Sequence, residues 1–185
     1  EQLALSYDSA DFWVGVLRPH LVWGPGDTQL VERVLERAAA GRLPLLNNGT
    51  ALIDTLYIDN AADAFVRGYQ RLEQIHGTPL VVTNGQPRTV AEILAGMCTA
   101  CGVPAPSRSL PARLAVGLGL ALERIWSLRG TDEIPPMTSF LAEQLSTSHW
   151  FDQSLTQQLL DWTPAVSLEE GYTQLGIFYG DRFSR

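Results

Sequence analysis

Cys98 and Cys101 form a Cys-x-x-Cys pair, the first spacing in the chain that could do chemistry. Such a pair can exchange electrons as a dithiol or supply half of a zinc site. A zinc site needs about four ligands, and the nearest histidine, His76, stands alone. The pair also falls inside the apolar, helix-patterned stretch Val90–Cys101, where it reads as two buried thiols one turn apart. His20, His76 and His149 are too scattered for a metal motif, so no metal site is expected. There is no Gly-x-Ser-x-Gly elbow. All 13 basic residues are arginine, and the absence of lysine removes every amine nucleophile, Schiff-base residue and lysine general acid.

The elements that must hold any site belong to a folded chain. Its 185 residues are 45% hydrophobic and 18% charged, enough for one core and a small second lobe. A net charge of -7 repels phosphate backbones and anionic lipid, so nucleic acid is excluded as a partner. The longest uncharged apolar run, Leu114 to Leu122, is far below the roughly 20 residues of a membrane span. No signal peptide pattern is present, and Glu1–Leu5 reads as a helix entered midway, so the chain reads as a fragment of a soluble protein. With two thiols and no disulfide framework, the expected compartment is the reducing cytoplasm.

Asp11–Pro19 is a near-continuous apolar run ended by proline and predicts a buried parallel strand. Gly24-Pro25-Gly26-Asp27 predicts a turn with Asp27 as helix cap, and Leu30, Val31, Val34, Leu35 and Ala38 recur at helical spacing up to Gly41. Leu43–Leu46 and Ala51–Ile58 predict short strands around an Asn48-Gly49 turn. Asp59 or Asn60 is the expected cap of a helix reaching about Ile75, and Pro79–Thr83 reads as another strand. Thr89 with Glu92, and Ser167 with Glu170, have capping-box spacing. Further helices are expected from Leu114 to Trp126, from Pro135-Pro136 to Leu145 and over Ser154–Leu160, with a short strand at His149–Asp152. The alternation is that of an α/β protein with a more helical second half.

Leu17-Arg18-Pro19-His20-Leu21-Val22-Trp23-Gly24-Pro25-Gly26-Asp27 resembles a segment of the extended short-chain dehydrogenases/reductases, especially their 3β-hydroxysteroid dehydrogenase/isomerase-like branch. Leu56–Ala64, Thr83–Pro87 with Thr89-Val90, and Leu160-Asp161-Trp162-Thr163-Pro164 resemble later blocks of the same family, in register over nearly the whole chain. The resemblance implies the late parallel strands of a Rossmann fold and a smaller, mainly helical substrate lobe. Residues 1–102 would be the Rossmann part with interleaved lobe segments, and residues 103–185 mainly the lobe. It implies NAD or NADP as cofactor, with Pro19, His20 and Val22 bordering the nicotinamide, and a substrate cleft entered at Trp23 and Gly24.

The family's glycine-rich phosphate loop has no counterpart here, and a chain without lysine cannot contain its Tyr-x-x-x-Lys pair. Tyr7-x-x-x-Asp11 is no substitute, because a carboxylate raises a phenol's pKa where a lysine cation lowers it. Both features are expected upstream, on a missing half that would be this chain's first partner; a homodimer is a further possible assembly. Sugar-nucleotide relatives carry an asparagine and an arginine against the substrate, where Leu21 and Ile53 stand here. The implied substrate is therefore an apolar secondary alcohol or ketone: a hydroxysteroid, sterol or β-hydroxy/keto lipid. The competing readings are a nucleotide-sugar epimerase or dehydratase, a non-catalytic NAD(P) sensor or scaffold, and a dimerisation module.

Overall fold

Strand and helix signals alternate along the chain, and the computed structural model, which describes residues 1–117, 124 and 146–183, follows them. In chain order the elements are α1 (Gln2–Leu5), β1 (Val16–Pro19), β2 (Val22–Trp23), α2 (Val31–Ala39), β3 (Leu45–Leu46), β4 (Leu52–Ile53), β5 (Leu56–Tyr57) and α3 (Ile58–Gln70). Then come α4 (Leu72–Ile75), β6 (Pro79–Val82), β7 (Arg88–Thr89), α5 (Val90–Ala100) and β8 (Ser109–Leu110). A helix over 112–117 (α6), α7 (Ser154–Leu160) and α8 (Leu168–Tyr179) complete the list. The helix expected from Leu114 is described only to residue 117, and the one expected after Pro135-Pro136 lies outside the described residues.

The chain forms two compact units, each built from three segments. Glu1–Val31, Asp54–Pro87 and Trp150–Phe178 make the first, and Glu32–Ile53, Arg88–His149 and Tyr179–Arg185 the second. In the first unit β1 and β6 pair in parallel from Val16↔Pro79 to Pro19↔Val82, and β2 pairs in parallel with β5. Their core is Leu56, Leu80, Val82, Ala61, Ala64, Ile75, Leu160 and Trp162, with Leu17 and Val22 packed against it. In the second unit β3 runs parallel to β8, and β4 antiparallel to β7. Leu46 and Ala115 form a small core there.

Several local expectations are met. Asp27 accepts from the amides of Gln29 and Leu30 at 2.8 and 3.0 Å, opening α2, whose Val31, Val34, Leu35 and Ala38 are buried. Thr89 and Glu92 exchange both bonds of a capping box at the start of α5. Ser167 and Glu170 do the same before α8.

Four expectations are corrected. The strand predicted over Asp11–Pro19 starts only at Val16, because the Asp8 carboxylate accepts the Val14 amide at 2.8 Å and Ser9 and Phe12 close a turn on each other. No hairpin forms at Asn48-Gly49, since Asn47, Asn48 and Gly49 are all left-handed and β3 and β4 take distant partners. The helix expected to reach Ile75 breaks at Arg71, and neither Asp59 nor Asn60 caps it: Tyr57 is the N-cap, without a side-chain bond. The strand expected at His149–Asp152 is a single bridge, His149 to Ile53, and Asp152 instead accepts the Ser154 amide before α7.

Candidate active site at the carboxyl end of the parallel strands

Parallel pairing sets the carboxyl ends of β1 and β6 side by side, the place where open α/β sheets bind ligands. The chain changes partner there. His20 N donates to Val82 O at 3.1 Å, the last bond to β6, and Leu21 O accepts from Leu56 N at 3.2 Å, the first to β5. Leu21 sits between these bonds at φ 46°. A leucine in the left-handed region is strained by about 1 kcal/mol or more, and such strain gathers at functional sites. The kink leaves the Leu21 side chain 38% exposed at the strand's end.

The other expected site residues fall into two groups. Pro19 is exposed and His20 half-buried, its ring edge-on to Phe151 at 5.0 Å. Val22 packs on the core. The Trp23 indole is buried, donating to Thr55 Oγ1 at 3.0 Å, with Tyr172 stacked on it and Tyr57 edge-on. Gly24 is buried against Ile58, and a Cβ on Gly171 would come within 2.8 Å of the Trp23 ring. Trp23 and Gly24 thus support the loop from beneath. Ile53 belongs to the second unit, where it is 5% exposed and pairs with Arg88.

A polar network just below this edge escaped sequence reasoning. Asp54 is fully buried, accepting from Thr83 Oγ1 at 2.8 Å and from the Thr55 amide at 3.1 Å. Burial pushes its carboxyl above the usual aspartate range, against the pull of bonds from Thr83, Gln86 and Thr55. The Thr83 amide donates to Gln153 Oε1 at 3.1 Å. Asn84 Oδ1 accepts from the Tyr57 amide and from Asn60 Nδ2. Asn60 Oδ1 takes the amides of Ala165 and Val166, and both asparagines donate to Val166 O. The signal available in sequence was Asp54-Thr55, two polar residues interrupting the apolar run Ala51–Ile58.

Cys98 and Cys101 are both buried on and beside α5, as their setting predicted. Burial, with Cys101 as neighbour, pushes the Cys98 thiol up to about 11, so little nucleophilic thiolate forms there near neutral pH.

Residues 1–82 match the NAD dependent epimerase/dehydratase family. The chain is 38% identical over 178 residues to a 2-alkyl-3-oxoalkanoate reductase of Stenotrophomonas maltophilia, covering 95% of this chain and 54% of that one. Both likenesses point the same way as the sequence blocks, towards the extended short-chain dehydrogenases/reductases. The 2-alkyl-3-oxoalkanoate reductase of Shewanella oneidensis is 43% identical over 164 residues, 86% of this chain and 42% of that one. A 3beta-hydroxysteroid-dehydrogenase/decarboxylase of Arabidopsis thaliana is 27% identical over 84% of this chain and 38% of its own length. Among solved structures, the UDP-glucuronic acid 4-epimerase from Bacillus cereus in complex with NAD superposes with a TM-score of 0.62. It is 17% identical, over 95% of this chain and 47% of that one, a likeness of fold. The chain spans about half the length of the curated relatives it matches. With no lysine among its 185 residues, the chain contains no Tyr-x-x-x-Lys pair.

Proposed function

We propose that the whole protein is an NAD(P)-dependent oxidoreductase of an apolar secondary alcohol or ketone, with 3-oxoalkanoate-like acids foremost. The observation that carries this reading is Leu21: an exposed aliphatic side chain, held in a strained backbone conformation, where the parallel strands end. The two 2-alkyl-3-oxoalkanoate reductases among its relatives support the substrate class. Ile53 provides no guanidinium for a sugar-nucleotide phosphate, and burying an unpaired phosphate charge against aliphatic groups costs several kcal/mol.

The nicotinamide cofactor would lie where the chain passes from β1, paired with β6, to β2, paired with β5, bordered by Pro19, His20 and Val22, partly through their backbone groups. When bound, the cofactor supplies or accepts the hydride. In this chain His20 and Leu21 would place the ring and the substrate's apolar body, and Trp23, Thr55 and Gly24 hold that loop rigid from below. A phosphate loop and a Tyr-x-x-x-Lys pair would have to come from outside these 185 residues, and the proposed place of work is the cytoplasm.

A nicotinamide absorbance screen of the whole protein tests this reading. Turnover is expected with 3-oxoalkanoates, β-hydroxy lipids or sterols, and none with UDP- or dTDP-sugars. A sugar nucleotide turned over as fast as any lipid would sink it, and NAD(P) binding without turnover of either set would make the protein a sensor. Leu21→Asp should raise the KM for the apolar substrate at least tenfold, about 1.4 kcal/mol, with little change in NAD(P) affinity. Aspartate tolerates left-handed backbone better than leucine. Stability should therefore hold or rise while KM worsens, which separates substrate contact from folding.

A further inference from the structure

The acidic residues of this chain avoid two of its segments. Between Glu36 and Asp54, and again between Glu92 and Glu123, there is no Asp or Glu, while Arg37, Arg42, Arg108 and Arg113 fall inside. In a chain of net charge -7, arginines on an acid-free background make a local cationic field.

Both segments leave helices of the second unit by the same device. At the end of α2, Gly41 N donates to Ala38 O and Arg42 N to Arg37 O; at the end of α5, Gly102 N donates to Thr99 O and Val103 N to Cys98 O. Gly41 has φ 64° and Gly102 φ 68°. These are Schellman stops, in which a left-handed glycine turns the chain sharply off the helix end. β3 and β8 then pair in parallel, Leu45 against Ser109, and Leu45 N donates to Arg108 O at 2.8 Å. Arg42 and Arg108 therefore enter from the amino end of the same strand pair.

Between them lies a cavity of about 480 Å³, within the usual range of small-molecule sites. Among the described residues Arg42 and Arg108 are the only charged ones in its lining, Ser107 is the only uncharged polar side chain, and Leu43, Pro44, Pro106 and Leu110 form much of the wall. Among the described residues neither guanidinium has an ion-pair partner.

We infer that this cavity binds an alkyl carboxylate, the two guanidiniums holding the carboxylate and the proline and leucine walls covering the chain. A guanidinium fork matches a carboxylate's two oxygens, and apolar walls strengthen the pairing by excluding water. A nucleotide would find the charge but not the polar edges that its base and sugars need. The inference rests on the proposed function for the identity of the acid, a 3-oxoalkanoate having this chemistry.

Calorimetric titration of the whole protein with decanoate, decanol and UDP-glucose tests it, in the wild type, in R42Q/R108Q and in R42K/R108K. Decanoate should bind at least tenfold more tightly than decanol. The glutamine variant should erase that preference while leaving decanol binding as it was, and the lysine variant should keep part of it. Equal affinity for decanoate and decanol, or decanoate binding indifferent to the glutamine changes, overturns the inference. So does UDP-glucose binding that is lost in R42Q/R108Q, which would assign the cavity to a nucleotide. Turnover of 3-oxoalkanoates together with decanoate binding indifferent to R42Q/R108Q would sink the cavity's role and spare the proposed function. Arginine-dependent decanoate binding without any turnover would do the reverse.

Discussion

Asp54 is the buried acid of the first unit, and its protonation sets a pH dependence with a definite sign. Burial raises its pKa in the folded chain above the unfolded value near 3.9. A group that binds its proton more tightly when folded contributes stability in full below the unfolded pKa. That contribution is lost as pH rises through the folded pKa. Asp8, Glu92, Asp152 and Glu170, lowered first by bonds to His76, Thr89, Ser154 and Ser167 in turn, give the opposite slope, losing stability as pH falls. Comparing wild type with Asp54→Asn cancels these, since the variant keeps an acceptor or donor for Thr83 and removes only the titration. The unfolding free energy of wild type minus variant should fall from about pH 4 upward. Urea unfolding measured across that range checks it, and a difference that grows with pH would overturn the reading of Asp54 as a desolvated acid. Asn60 makes a second residue-level case. Its side chain satisfies four bonds, so Asn60→Ala strands the Ala165 and Val166 amides together, at a cost of about 3 kcal/mol in the same assay. A loss under about 1 kcal/mol would mean that water replaces the side chain without penalty.

Elements were legible wherever a local pattern had no distant competitor. Thr89 with Glu92, and Asp27 before α2, act within one turn of chain, and the sequence places them correctly. Asp59 has the right residue type for a cap and the wrong position: α3 begins one residue earlier, at Ile58, while Asn60 is drawn to residues 165 and 166. Asn48-Gly49 has the dipeptide of a tight hairpin, but β3 finds β8 and β4 finds β7, over separations that no local pattern encodes. The Asp11–Pro19 run is apolar enough for a strand throughout, yet Asp8 captures the Val14 amide before the ladder can. This contrast is measurable. Thr89→Ala should destabilise by about 1 kcal/mol, the usual worth of an N-cap. Asp59→Ala should cost no more than a few tenths, the dipole interaction of an exposed first-turn carboxylate. Equal losses in thermal unfolding would restore Asp59 as a cap.

On the scale of the whole molecule, the site was legible as a place and not as a network. The loop from Pro19 to Gly24 could be read from its resemblance, whereas Asp54, Thr83, Asn84 and Asn60 meet only through strand pairing across 24 residues and more. The same scale decides how the 185-residue chain behaves alone. It spans about half the length of its curated relatives, and Phe12, Phe65, Tyr69, Trp150, Ile177 and Phe178 are each more than half exposed. Its β1–β6 ladder has two strands, and parallel strands are normally flanked by others and covered on both faces. Large apolar side chains left in water drive association, at about 25 cal/mol for each Å² removed from it. Expressed alone, residues 1–185 should therefore self-associate and bind an apolar dye, show no turnover and bind NAD(P) only weakly, because no lysine or glycine-rich loop holds the ribose and pyrophosphate. The whole protein should bind the dye far less per chain. Sedimentation and dye fluorescence of both, with calorimetric NAD(P) titration, check this. A strictly monomeric, dye-silent isolated chain, or one that binds NAD(P) with a submicromolar Kd, would show that these residues complete both core and cofactor site unaided.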